Sequence, residues 1–353
     1  VTGRAAAIQG GLAVAGLLAA HFTWQREPEH APGSVTVIEA AKGDIGRIHY
    51  DDADNAVDLT RNGGGQTPVW IHLAPKHAPV EVRNPHEKAA PPPPPTNKAT
   101  PPPRDLPGGD AAAKVFEQFA PLVSPRAFGV LDQTKLKELG LDAPKKTLEV
   151  TVKGDVRKYA ISAPASTGSG EAFLRDLRDG RVYLMPRSLA SDLANAAHLV
   201  DRRLHSFEPI DFNRIVVTAG GKKKEFVRMP GEPRANAGFA PAKTPDKADQ
   251  MAKNWHDSVW RLFPADMLGR GEEPTGGKPA VAVRVDYFDG KDNVGWIELA
   301  RGGEGGGEGM STGEESAPGS DIYVRTEHTA SWAKLGGGSG QLIADAQKLT
   351  ATP

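Results

Sequence analysis

The chain has 353 residues with 40 Gly, 30 Pro and no Cys, so about a fifth of it disfavours the interior of helices and strands, short of a wholly low-complexity chain. Without cysteine there are no disulfides, cysteine nucleophiles, thiolate-zinc sites or iron–sulfur ligands. Lys plus Arg number 43 against 44 Asp plus Glu, a net charge of −1, so no global positive field draws a nucleic acid, and none is expected as a partner.

The first element is an apolar run over residues 5–24 without a formal charge, bounded by Arg4 and by Trp24 and Arg26. Twenty residues at about 1.5 Å each match a hydrocarbon layer of about 30 Å. The expectation is a transmembrane anchor over residues 1–27, in preference to a cleaved secretory signal with Leu12 to Leu18 as its apolar core, with the remainder exported and the chain single-pass in a bacterial inner membrane. Ala7, Gly11, Ala15 and Ala19 recur every four residues. They line one helix face that lets another membrane helix approach closely, so integral-membrane subunits and lipid are the expected partners there.

Residues 44–50 then read as a strand entered through an acidic residue. Between 75 and 108 the composition changes to uninterrupted prolines at 91–95 and 101–103. Proline fixes φ and removes a donor, so this insertion reads as extended polyproline, a spacer or a strap across a partner. Pro91, Pro92, Pro93, Pro101 and Pro102 are its candidate partner contacts. Val115, Phe116, Phe119 and Leu122 follow at helical spacing, then Leu148, Val150 and Val152 alternate as a strand, with Tyr159 and Ile161 on the returning one. Residues 181–184 are a further strand, and Leu189, Leu193, Ala196, Ala197 and Val200 a closing helix.

A second pass through the same order begins at the strand 211–217, which resembles 44–50. Trp255, Val259, Leu262 and Phe263 give the helix, with Trp255 and Trp260 as candidate core or interface anchors. Val281, Val283, Val285 and Tyr287 give a strand, 294–299 its return, 321–324 a strand resembling 181–184, and Leu342, Ile343, Ala346 and Leu349 the last helix. Agreement in sequence and order points to a duplicated unit. The expected fold is α+β: the transmembrane helix, then two similar units of antiparallel sheet packed by helices over 34–230 and 231–353. The strand region 211–229 is compatible with either unit, and residues 302–319 form a Gly/Glu-rich loop.

Chemistry is harder to find. The histidines show no His-Glu-x-x-His spacing, no Gly-Lys-Ser/Thr follows the glycine runs, and no Gly-x-Ser-x-Gly elbow occurs. Neither a catalytic constellation nor a cofactor or metal is expected.

The strand at 44–50, the stretch Leu139-Gly140-Leu141-Asp142-Ala143-Pro144 leading into the strand 147–153, and Arg181-Val182-Tyr183-Leu184 before a helix resemble the domain of unknown function 4340 family. The resemblance covers most of 35–230 and extends loosely to the end. The proline insertion departs from the family's plainer pattern. Members are anchored periplasmic proteins found beside gliding-motility-type ABC transporters. The resemblance therefore implies a non-enzymatic accessory or scaffolding subunit of such a transporter or another envelope complex. The alternative is a periplasmic lipid- or ligand-binding module with an apolar groove on the sheet units.

Overall fold

A computed structural model describes residues 33–61, 69–77, 100–162, 171–229, 238–274, 276–302 and 321–351. Two large antiparallel sheets dominate it. The first has nine strands: β2 (Ile45–Asp51), β3 (Asn55–Arg61), β4 (Val69–Pro75), β5 (Arg104–Gly108), β7 (Ala127–Val130), β8 (Lys146–Val152), β9 (Asp155–Ile161), β10 (Phe173–Asp176) and β11 (Arg181–Leu184). A small ribbon pairs β1 (Val35–Ile38) with β6 (Leu122–Ser124). The second large sheet has eight strands: β12 (Arg214–Ala219), β13 (Lys222–Arg228), β14 (Phe239–Pro241), β15 (Pro264–Met267), β16 (Ala280–Asp289), β17 (Asp292–Arg301), β18 (Ile322–Thr326) and β19 (Ala333–Leu335). The α-helices are α1 (Asp110–Gln118), α2 (Gln133–Glu138), α3 (Arg187–Ala194), α4 (Gln250–Trp260) and α5 (Gly340–Ala351).

Strand order shows the internal repeat directly. The first sheet runs β5-β4-β3-β2-β8-β9-β10-β11-β7 and the second β14-β13-β12-β16-β17-β18-β19-β15. Removing β5 makes the two orders superimpose strand for strand, with β2 on β12, β8 on β16 and β7 on β15. Helices α1 and α4 fall at the same point of the order, as do α3 and α5. The likeness of 44–50 to 211–217 thus joins equivalent strands, β2 and β12. The likeness of 181–184 to 321–324 does not, because β18 occupies the place of β10 while β11 corresponds to β19. A short apolar alternation fits any inner strand, so it cannot fix position in a sheet. Strands β12 and β13 lie in the second sheet, so the region 211–229 goes with the second unit.

Local chemistry accounts for the elements. Ile45, Ile48 and Tyr50 all reach the first core because a bulge at Gly46 shifts the β2–β8 register between Ile45 and Arg47. Lys153 and Gly154, both at positive φ, close the β8–β9 hairpin, and Gly220 and Gly221 close β12–β13 in the same way. Asp132 and Asp249 cap α2 and α4 by accepting from the backbone N–H groups of Lys135 and Ala252. Phe116 and Phe119 on and after α1 pack with Leu189 and Leu193 of α3 on one face of the first sheet; Trp255, Val259, Ile343 and Leu349 of α4 and α5 do so on the second.

The expected architecture is corrected in its first part. The longest described helix has 12 residues, about 18 Å, and no described helix is long and apolar enough to cross a membrane. The expected anchor, with Ala7, Gly11, Ala15 and Ala19, lies outside the described residues, as do Pro91, Pro92 and Pro93. The chain is described as mostly antiparallel sheet with few short helices. An N-terminal transmembrane helix and a single-pass inner-membrane placement are therefore not carried forward. The two ends of the proline-rich insertion lie side by side. Leu73 of β4 pairs with Arg104 of β5, so the chain returns beside the strand it left.

Candidate functional site

Strand β5, the one without a counterpart in the second sheet, builds the junction between the two units. Leu106 sits on the first sheet, yet its side chain is buried in the second hydrophobic core, and Leu73 and Val200 pack against both cores. The outer edge of β5 and the residue after it are covered by main chain of two segments. Asp105 O accepts from Arg270 N at 2.8 Å, Pro107 O accepts from Asp201 N at 2.8 Å, and Gly109 N donates to Leu199 O at 2.9 Å. Gly269 is needed for this approach, since a Cβ there would lie 3.2 Å from Asp105 N and 3.3 Å from Arg104 Cβ.

Charge locks the same seam. Arg104 reaches from β5 to Asp266 of β15 at 2.9 Å and grips Glu272 through Nε and Nη2, each at 2.9 Å. Burial alone would lower the pKa of this guanidinium, but the two carboxylates outweigh it and raise it further. Glu272 in turn accepts from Gly269 N at 2.7 Å. Nearby, Arg270 lies over the ring of Trp70, 3.4 Å from its centroid. Buried Asp201 receives Arg203 Nη2 at 2.7 Å and His328 Nε2 at 3.0 Å. Burial would raise its pKa, but these donors reverse the shift and hold the carboxyl well below the usual range.

Between these contacts lies a groove of about 230 Å³, lined by Leu73, Pro101, Pro102, Leu106, Val200 and Met267. Arg202 borders it and stacks at 5.9 Å on Phe263, which is 65% exposed. The candidate prolines Pro101 and Pro102 are thus brought to the junction. The groove is smaller than the roughly 300–1,000 Å³ typical of small-molecule sites. It accommodates one or two apolar side chains better than a lipid.

The two tryptophans separate. Trp255 is buried and donates its indole N–H to Leu342 O at 2.9 Å, tying α4 to α5; it is a core anchor, not a contact surface. Trp260 is stacked between His205 at 4.6 Å and His256 at 5.9 Å, with Tyr287 and Phe212 edge-on or tilted around it. Burial drives the pKa of His256 down to about 3, helped by the positive charge of Arg228, so its imidazole is neutral. Beside it, Glu327 binds His205 at 3.3 Å and accepts from Trp296 N at 3.1 Å. His256 and Trp260 border a cleft of about 270 Å³ with Arg228, Lys253 and Arg261. Among the described residues no group of three or more His, Asp or Glu is placed to hold a metal ion.

Sequence reasoning missed Arg104, Leu106, Asp266 and Glu272. Arg104-Asp-Leu-Pro-Gly reads as the end of the proline-rich insertion, and its one usable signal is that proline is tolerated on edge strands.

The model of a family described as domain of unknown function (DUF4340) matches residues 123–259. The match covers about two fifths of the chain. The match includes Leu139 to Pro144 and Arg181 to Leu184, whereas the strand at 44–50 and the proline insertion precede it. It starts in β6 and ends in α4, taking β7 to β11 from the first sheet and β12 to β14 from the second. The DUF4340 span therefore holds one member of every equivalent strand pair, out of phase with the sheets. No curated protein and no solved structure matches the chain.

Proposed function

We propose that this protein is a non-enzymatic accessory or scaffolding subunit that works by protein contact, with transporter complexes as the context that the family resemblance suggests. The observation that carries the reading is the placement of Leu106 in the second core from a strand of the first sheet. A strand shared in this way fixes the angle between the units, and a scaffold needs its surface patches at constant separation. The small apolar groove, with exposed Phe263 under the Arg202 that borders it, supports the same reading, because it offers a partner an anchor point at the rigid seam.

The test is affinity purification from the native source with wild type and Pro102→Asp compared. Wild type is expected to retain a stoichiometric protein partner, and the variant to lose it at unchanged melting temperature. A wild-type chain that purifies alone while turning over a substrate would sink the proposal.

A further inference from the structure

The repeat allows the two sheets to be compared edge by edge. Edge strand β5 is covered by main chain at Arg270 and Asp201, and β15 lies against it through the Arg104 side chain, which reaches Asp266 and Met267 O. Edge strand β14 is closed by Asp249 N, which donates to Phe239 O at 2.7 Å. The fourth edge is β7, the counterpart of β15. Among the described residues no backbone hydrogen bond reaches β7 from its outer side.

The correspondence holds residue by residue. In β15, Pro264, Asp266 and Met267 face Leu335, Lys334 and Ala333, with Ala265 as the extra residue of a bulge. In β7, Ala127, Gly129 and Val130 face Tyr183, Val182 and Arg181, with Phe128 as the extra residue. Met267 therefore corresponds to Val130. Met267 lines the groove beside Leu106 and is 6% exposed, while Val130 is 69% exposed. The equivalent edge is packed against β5 in one unit and bare in the other, although the bulge in β7 places Gly129 at positive φ and the one in β15 does not do so with Asp266.

We propose that β7 is a self-association edge and that its occupant is β7 of a second copy of this chain, in an antiparallel two-fold pairing. In a second copy β5 is already covered by its own Arg270 and Asp201 main chain and β15 is packed against it, so among the described residues β7 is the exposed edge strand of a large sheet. A two-fold axis near Gly129 sets exposed Arg126 of each copy opposite exposed Asp132 of the other, giving opposite charges at both ends of the seam. The neighbouring cation Arg181 does not oppose it, since it lies 3.5 Å from Asp179. The proposal is independent of the partner reading above.

Sedimentation velocity on the purified full chain over a dilution series tests it. A concentration-dependent dimer is expected, weakened about tenfold or more by Val130→Asp. Arg126→Glu, which turns attraction to Asp132 into repulsion on an exposed position, should weaken it as well. Val156→Asp, on β9 and 43% exposed, should leave it intact. A strictly monomeric wild type, or a dimer unchanged by both edge variants when their melting temperatures match wild type, overturns the proposal.

Discussion

Arg104 of β5 and Asp266 of β15 meet at 2.9 Å although 162 positions separate them in the chain. Asp266 is half exposed, so solvent weakens the attraction and the pair alone contributes on the order of 1 kcal/mol. A double-mutant cycle with Arg104→Met and Asp266→Asn, followed by urea unfolding, should return a coupling of about that size that shrinks with added salt. Zero coupling at low salt would show that this ion pair does not contribute to holding the seam.

Leu106→Ala tests that packing. The side chain is 5% exposed and contributes to the second core, so removal should cost about 2–4 kcal/mol. Because the loss falls on the seam, calorimetry should show the single unfolding transition of wild type broaden or split. A variant as cooperative as wild type would mean that the units are coupled elsewhere.

Gly295 of β17 pairs with Tyr287, and a Cβ there would overlap the ring of Phe207 and lie 2.9 Å from the Glu327 carboxylate. Both groups belong to the nest around His205. Gly295→Ala should therefore destabilise the protein by about 1–3 kcal/mol and change the environment of Trp260, read by tryptophan fluorescence.

His256 gives a pH dependence with a defined sign. Its folded pKa of about 3 lies below the ordinary 6.5, so the folded state favours the neutral ring. That stabilisation is complete above about pH 6.5 and is lost as pH falls toward 3, with a slope of at most about 1.4 kcal/mol per pH unit. Urea midpoints of wild type and His256→Phe at falling pH should separate in this window, with the variant less sensitive. Parallel curves would place the acid sensitivity in other groups.

Much of the sheet architecture was legible because its alternation is local. Leu148, Val150 and Val152 on β8, and Val283, Val285 and Tyr287 on β16, show their buried faces in sequence and occupy equivalent strands. Leu122 was placed on the first helical face, yet it begins β6, since a fourth apolar residue at helical spacing also fits the start of a strand. The junction was illegible for a different reason. Nothing near Arg104 encodes a partner 162 residues away, and the prolines around it read as punctuation.

By itself the sequence determined the absence of thiol chemistry, the near-neutral charge, several of the strands and helices of each unit, and the presence of a repeat, because composition and short-range periodicity are properties of consecutive residues. Only the tertiary structure decided which strands are equivalent, that β5 is a ninth strand shared between two cores, and that Val130 and Met267 hold the same position with opposite exposure. Those outcomes depend on backbone hydrogen bonds and apolar contacts between distant segments, which form only once the sheets close around their cores.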